Sequence, residues 1–374
     1  AGRTPETEEE AGGPVRLMAQ LDTYLTQMLE ADGSDLHLSV GLPPRARCHG
    51  NLETLPGHAE IAADEQERLL REICPPDRWR HFQEHGDLDF AYEIAGVARF
   101  RANYLRNHWG LAAVFRQIPT RILTMAELNL PEVLSTICHY QEGLVLVTGP
   151  TGSGKSTTLA AMVDYINDSY NKHIITIEDP IEFVHQNKNS VICHREVGIH
   201  SQSFQAALAG AMRADPDIIL VGEMRELETI KLALKCASMG MLVFGTLHTN
   251  NAPKTIDRII DAFPADQQAQ IRTMLAECLS GIVSQLLCKK SGGGRIAVHE
   301  ILLQHEALAN TIREGQINNI RSIIESSRAT GMCLMDTSLK AALDAGSITA
   351  HEAYMKATDK KQFQHLLDDS DSVA

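Results

Sequence analysis

The sequence predicts an α/β fold with two domains, an α+β N-terminal domain and then a P-loop domain built on a parallel sheet. Three observations support this prediction. The chain has 374 residues, which is enough for two domains of ordinary size. A phosphate-loop pattern, G-x-x-x-x-G-K-[ST], begins at Gly149. After residue 123, short apolar runs alternate with helical patterns, as is typical of parallel α/β sheets.

The N-terminal domain is expected to span residues 15–117. Apolar residues at helical spacing predict helices over 17–29 and 64–73. Alternating or β-rich segments predict strands over 35–40, 45–48, 88–94, 98–104 and 111–116. Such a set of helices and neighbouring strands favours an antiparallel sheet. The acidic, polar ends at 1–14 and 364–374 are expected to be disordered tails.

The linker is expected at residues 118–122, where Ile118-Pro-Thr-Arg includes a proline that disfavours helix before it. The P-loop domain is then expected to cover 123–363. Its parallel strands are predicted at 144–147, 174–177, 218–221 and 241–244. The segment from about 265 onward is predicted to be mostly helical, with one long helix running from Ile271 to Leu286 and a loop at 291–294.

The phosphate loop predicts nucleotide binding. Its glycines allow consecutive backbone N–H groups to point into one concavity, and the following helix directs its positive end to the same anion. Lys155 is expected to reach the β- and γ-phosphates of ATP, and Ser156 to ligate Mg²⁺. The predicted binding residues are Gly149, Pro150, Thr151, Gly152, Ser153, Gly154, Lys155, Ser156 and Thr157.

Acidic and histidine residues follow three other predicted strands. Ligands bind beyond the carboxyl ends of parallel strands, so these residues are expected at the nucleotide. Glu223 ends its strand where a Walker B acid would hold Mg²⁺. Glu178, Asp179 and Glu182 are alternatives for the base that polarises water. His248 is a neutral donor suited to contacting the γ-phosphate.

Composition excludes several classes of function. A net charge of −14 disfavours a nucleic-acid partner. Eight cysteines without a Cys-x-x-Cys pair disfavour a zinc site and favour reduced thiols in a cytoplasmic protein. No apolar run reaches the ~20 residues that span a bilayer, and the first residues lack the apolar core of a signal peptide.

Four segments together resemble one family. They are the phosphate loop, the acidic box 177–183, the Walker B segment 215–225 and the His box 244–249; segments 195–198 and 255–264 add to them. The chain resembles type IV pilus secretion ATPases, most closely their retraction motors, over residues 33–345.

The resemblance implies a PAS-like N-terminal domain, a RecA-like ATPase domain with a helical C-terminal part, and a homohexameric ring. It implies that Glu182 is the general base and that Arg99, Arg101 and Arg116 contact nucleotide, some of them in a neighbouring subunit. The implied function is ATP-driven pilus retraction and twitching motility. The implied partners are an inner-membrane platform protein at the pilus base and, as an option, a second retraction ATPase.

Three positions depart from the family pattern. Met241 replaces a frequent histidine, Ala309 replaces the first arginine of a late retraction-linked motif, and Gly210 replaces a helix former. An accessory retraction motor therefore remains an alternative. A pilus-assembly or type II secretion ATPase is another, although those usually carry an extra N-terminal domain and a tetracysteine zinc site. A RecA-like DNA motor and a non-catalytic nucleotide-binding scaffold are the remaining alternatives.

Overall fold

In the computed structural model, the chain divides into two units, Ala1–Thr120 and Arg121–Ala374. The structure describes residues 19–48, 51–118 and 121–370. The predicted tail 1–14 and the centre of the predicted linker, Pro119 and Thr120, lie outside these residues. The linker therefore stays a prediction.

The first unit contains a six-stranded sheet in the order β3-β2-β1-β6-β5-β4, and every neighbouring pair is antiparallel. This agrees with the predicted α+β sheet. Its strands are β1 Gly33–Ser39, β2 Arg45–Cys48, β3 Asn51–Thr54, β4 Asp87–Ile94, β5 Ala98–Asn107 and β6 Gly110–Ile118. Its helices are α1 Gln20–Glu30, α2 Ala63–Ile73 and α3 Pro76–His85.

The helices of this unit cover one face of its sheet. Phe100, Tyr104 and Phe115 on β5 and β6 are fully buried in the core that the helices and sheet share. The hydroxyl of Tyr104 donates to the carbonyl of Leu70 on α2 at 2.9 Å, which satisfies its polar atom inside the core. Helix α3 was not predicted; it begins at Pro76, because proline fits the first helical turn.

The second unit contains a seven-stranded sheet in the order β13-β12-β7-β11-β10-β8-β9. All neighbouring pairs are parallel except β12 and β13. Its strands are β7 Gly143–Thr148, β8 His173–Glu178, β9 Val191–Glu196, β10 Ile218–Val221, β11 Leu242–Leu247, β12 Leu279–Lys289 and β13 Arg295–Leu303. Strands β7, β10 and β11 are buried along their whole length, as the continuous apolar runs predict.

Helices pack against this sheet and continue beyond its last strand. They are α4 Val133–Cys138, α5 Lys155–Ser169, α6 Phe204–Ala211, α7 Leu227–Ser238, α8 Ala252–Asp261, α9 Gln268–Cys278, α10 Glu306–Arg313, α11 Ile320–Ser326, α12 Met335–Asp344, α13 Ala350–Lys356 and α14 Lys361–Ser370. Short 3₁₀ turns occupy Ile317–Asn319 and Arg328–Thr330. Among the described residues, no helix combines the length and apolarity that crossing a bilayer requires.

The predicted long helix from Ile271 to Leu286 is wrong in its second half. Helix α9 ends at Cys278, and the chain continues as β12, which pairs with both β7 and β13. The first seven residues of this strand are buried. Because both faces are covered, the strand lacks polar alternation, and periodicity alone does not distinguish it from a buried helix.

The predicted C-terminal tail also begins too early. Residues 364–370 belong to α14, whereas 371–374 lie outside the described residues. Phe363 is fully buried in a small core with Met335, Leu339 and Val298, and Leu366 packs against that core. Burial of these side chains holds the helix on the unit despite its polar composition.

Candidate functional site

The phosphate loop connects β7 to α5, the predicted order. Gly149 begins the loop with φ +146°, and a methyl group on it would lie 2.3 Å from the carbonyl oxygen of Gln285 on β12. Only glycine fits a backbone this close to a neighbouring strand. The Lys155 ammonium donates to the carbonyls of Gly149 and Pro150 at 2.9 and 3.2 Å. These two hydrogen bonds hold the Lys155 side chain against the phosphate loop.

The charge of Lys155 is affected by burial and by two nearby carboxylates. Burial lowers the pKa of this lysine, while the carboxylates of Glu223 and Glu182 act in the opposite direction and favour the charged form. Two of the predicted acids therefore act on the phosphate-loop lysine. The convergence follows from strand order, because β8, β10, β11 and β7 are neighbours and end at the same edge of the sheet.

The acidic box follows β8, and hydrogen bonds to glutamates of the box itself and of β9 fix its backbone. Oε2 of Glu178 accepts the backbone N–H of Glu182 at 3.3 Å, and the buried carboxylate of Glu196 accepts the N–H of Ile181 at 3.2 Å. Oε1 of Glu178 also lies 4.0 Å from Nδ1 of His194. Glu178 therefore holds the turn that carries Glu182, and the half-buried Glu182 is placed at its end.

Glu223 follows β10 and bonds to two basic side chains. His248 Nε2 lies 2.9 Å from Glu223 Oε1, and Nε of Arg225 donates to the same oxygen. The hydrogen bond from Arg225 and its attraction to Glu223 raise the pKa of this arginine. The sequence predicted Glu223 and His248 at the site but not their direct contact, which joins the Walker B strand to the His box.

No group of three or more His, Cys, Asp or Glu side chains suited to a metal occurs in the described part of the chain. Mg²⁺ in nucleotide sites uses one or two protein oxygens together with phosphates and waters. Ser156 at the start of α5 and the Glu223 carboxylate supply such oxygens.

The three predicted arginines lie in the first unit, on one face of its sheet. Strand register places Arg101 opposite Arg116, and Arg99 lies two residues before Arg101 on β5. Nε of Arg101 is 3.4 Å from an oxygen of Asp89, and Nε of Arg116 is 2.7 Å from an oxygen of Asp35. The Arg116 side chain is 68% exposed. The structure thus groups the arginines together, away from the core face of that sheet.

Strand β12 contributes polar residues that the sequence analysis missed. The amide nitrogen of Gln285 donates to the carbonyl of Ser153 in the phosphate loop at 2.7 Å, and the hydroxyls of Ser284 and Thr148 are 2.8 Å apart. Ser284 and Gln285 stand within the apolar run 282–287. Two adjacent polar residues inside a buried apolar segment are the pattern that would have indicated them.

The family departures have structural settings. Gly210 on α6 packs beside the guanidinium of Arg195, where an added methyl group would lie 2.9 Å from Nη1. Ala309 on α10 packs against the main core of the second unit. The carbonyl of Met241 accepts the N–H of Gly143 at 3.0 Å, so this residue precedes β11 at the end of the strand opposite the nucleotide edge.

Comparison with known proteins agrees with this architecture. The family model described as "Type II/IV secretion system protein" matches residues 86–292. The type IV pilus retraction ATPase PilT of Pseudomonas aeruginosa is 49% identical over 334 residues, which cover 88% of this chain and 96% of that protein. A twitching motility protein of Neisseria gonorrhoeae is 47% identical over 319 residues, or 85% of each chain.

Two further similarities place the chain within the family. The type IV pilus ATPase PilU of P. aeruginosa is 37% identical over 351 residues, covering 93% of this chain and 91% of that protein. The crystal structure of the pilus retraction motor PilT with bound ADP superposes with a TM-score of 0.86 at 41% identity, covering 93% of this chain and all of that one. The chain therefore belongs to the type II/IV secretion system protein family, in its branch of type IV pilus retraction ATPases.

Proposed function

We propose that this chain is the subunit of a ring-shaped motor that hydrolyses ATP to retract type IV pili. The observation that carries the proposal is the convergence of Lys155, Glu182, Glu223 and His248 at one edge of the parallel sheet. A loop that binds phosphate, two carboxylates and a hydrogen-bonding histidine are the groups that nucleotide hydrolysis requires.

Each residue has a separate role in this proposal. The loop N–H groups and Lys155 bind the phosphates of ATP. Glu182 orients and polarises the attacking water, because Glu178 is engaged with the backbone of the acidic box. Glu178 thus becomes a positioning residue, while exposed Asp179 is left without a role in the reaction. His248 detects the γ-phosphate and transmits its presence through Glu223.

Ser156 and Glu223 are the residues that would hold Mg²⁺, directly or through water. When bound, the ion neutralises charge on the phosphate oxygens. The contact between His248 and Glu223 then makes the same carboxylate part of the metal site and of the His box. Movement of His248 would in this way alter the surroundings of the metal.

Two substitutions in the site separate nucleotide binding from hydrolysis. Glu182→Gln should retain nucleotide binding and lose about a hundredfold or more in ATPase rate, since a positioned base contributes that much. Lys155→Ala should lose nucleotide binding. Purified chains are compared by steady-state ATPase assay and by titration with a fluorescent nucleotide. Glu228→Gln, an exposed glutamate of α7, is the matched control and should remain active. A Glu182→Gln chain with native activity would contradict the assignment.

In a ring of subunits, the arginines of the first unit could act on the nucleotide of a neighbouring subunit. Arg101 and Arg116 lie directly opposite each other on neighbouring strands, where like charges repel, and they pair with Asp89 and Asp35 respectively. An anion of another subunit would relieve this repulsion. Arginines supplied by a neighbour neutralise transition-state charge only when the two subunits close. We propose that Arg99, Arg101 and Arg116 meet nucleotide in this way within a homohexamer.

Mixing two inactive variants tests this arrangement. Lys155→Ala subunits retain their arginines, and Arg116→Ala subunits retain an intact phosphate loop. If the arginine acts on a neighbour, mixed rings contain complete sites, and the mixture should regain ATPase activity that neither variant has alone. Lys155→Ala mixed with Glu182→Gln is the control and should stay inactive, because both changes lie in one site. Equal inactivity of the two mixtures would refute action across subunits.

Retraction is favoured over the two related functions. The chain is 49% identical to PilT and 37% identical to PilU, which favours the principal over the accessory motor. The accessory motor stays the second candidate because Ala309 replaces the first arginine of the retraction-linked motif. We further propose that the ring works on the cytoplasmic side of the inner membrane, on a platform protein at the pilus base. ATP is hydrolysed to ADP and phosphate, and the useful output is then a movement between domains.

Deleting the gene in the source organism distinguishes these functions. Loss of a retraction motor should leave surplus surface pili and abolish twitching, and a copy with Glu182→Gln should not restore movement. Surface pili are counted by electron microscopy, and twitching is measured as expansion beneath agar. Loss of surface pili would indicate an assembly ATPase. Persistent twitching with normal pili would indicate an accessory motor and contradict the proposal.

A further inference from the structure

Gln285 on β12 lies against both ends of the phosphate loop, with its backbone carbonyl at Gly149 and its buried carboxamide at Ser153 and Gly154. Its strand runs beside β7, with Ser284 in register with Thr148, so Gln285 stands next to the point where the loop begins. A methyl group on Gly154, at the other end of the loop, would lie 2.9 Å from Nε2 of Gln285. The side chain therefore fills the space behind the loop, and it is only 2% exposed.

Hydrogen bonds fix the orientation of this carboxamide. Nε2 donates to the carbonyl of Ser153 at 2.7 Å, and Oε1 accepts from the hydroxyl of Thr158 on α5 at 2.8 Å. His299 Nε2 lies 3.2 Å from the same oxygen. Burial lowers the pKa of His299 to about 4, so the ring is neutral and carries its proton on the nitrogen that faces this acceptor.

The bond to Ser153 determines the direction of the next peptide N–H. In a trans peptide the C=O of one residue and the N–H of the next point in opposite directions. Holding the Ser153 carbonyl toward Gln285 therefore turns the N–H of Gly154 away from β12. Gly154 has φ +86°, a left-handed conformation that glycine accepts, and it directly precedes Lys155 at the start of α5.

We propose that Gln285 is a positioning residue for ATP binding, which sets the shape of the phosphate loop through the Ser153 carbonyl, with Thr158 and His299 orienting its carboxamide. The proposal rests on the nucleotide-binding role of the loop given above. It assigns a role in the site to β12, a strand outside the four nucleotide segments. Gln285 does not touch the reacting atoms; it acts through the backbone of the loop.

Two substitutions isolate the donated bond. Gln285→Leu removes the donor and leaves the Ser153 carbonyl buried without a partner, which should weaken binding of ADP and of a non-hydrolysable ATP analogue by roughly tenfold. Gln285→Glu keeps an oxygen for Thr158 and His299 but cannot donate while ionised, so its loss at pH 8 should be at least as large. Dissociation constants are measured by titration at a temperature well below unfolding.

Lowering the pH should restore nucleotide affinity to the Gln285→Glu variant, which a purely structural role of Gln285 does not predict. A protonated carboxyl is a near copy of a carboxamide and donates through its O–H. Burial raises the pKa of a carboxyl group, so the protonated fraction of the Glu variant grows between pH 8 and pH 6. Its affinity relative to the native chain should therefore recover over that range, whereas the Leu variant should keep a constant ratio to the native chain. The pH dependence of the Glu variant tests the proposal even if Gln285→Leu fails to fold.

Ser280→Ala is the matched control, because this residue lies near the start of the same strand, and its hydroxyl donates to the carbonyl of Glu142 at 3.4 Å. It should lower the melting temperature at most and leave nucleotide affinity unchanged. Native affinity in both Gln285 variants would overturn the proposal, as would a Glu variant without recovery at low pH. A native chain that fails to bind nucleotide would instead overturn the proposed function.

Discussion

The close approach of the phosphate loop to β12 is the constraint on which the nucleotide site depends. At Gly149 there is no room for a side chain, because the carbonyl of Gln285 occupies that space. The loop is therefore shaped from both sides, by β7 and α5 through chain connectivity and by β12 through packing and hydrogen bonds. The shape of the loop thus involves a strand more than a hundred residues later in the sequence, which the Ser153–Gln285 hydrogen bond joins to it.

The buried charge of Lys155 is a second constraint on the nucleotide site. The Lys155 ammonium is buried, and carbonyls of the loop together with the field of Glu182 and Glu223 stabilise it. Glu223 is in turn shared with His248 and Arg225. A phosphate that enters the loop brings negative charge into this balanced set, so its arrival and loss must redistribute the contacts of Glu223.

The sequence alone predicted those parts of the site that follow short, buried strands. Loop, acidic box, Walker B acid and His box each lie just after an apolar run, and parallel pairing brings such positions to one edge. Arg99, Arg101 and Arg116 came from the family resemblance, and the structure adds that they share one face of a sheet. Their meeting with nucleotide remains a prediction, because it requires a second subunit.

The missed features depend on contacts between distant parts of the chain. The strand β12 was mistaken for helix because both of its faces are buried between neighbours that the sequence does not reveal. Helix α14 was missed because its polar surface conceals two apolar side chains that complete a small core. Gln285 gave no motif, since its hydrogen-bond partners are Ser153 and Thr158, more than a hundred residues earlier, and His299 on the neighbouring strand.

The most direct measurement is a structure of the oligomer with Mg²⁺ and a non-hydrolysable ATP analogue. Lys155 should leave the loop carbonyls for the β- and γ-phosphates, and Glu182 should stand within hydrogen-bond reach of a water in line with the γ-phosphate. Ser156 and Glu223 should lie at the metal. A Glu182 carboxylate that faces away from the γ-phosphate, with another residue on that water, would contradict the account.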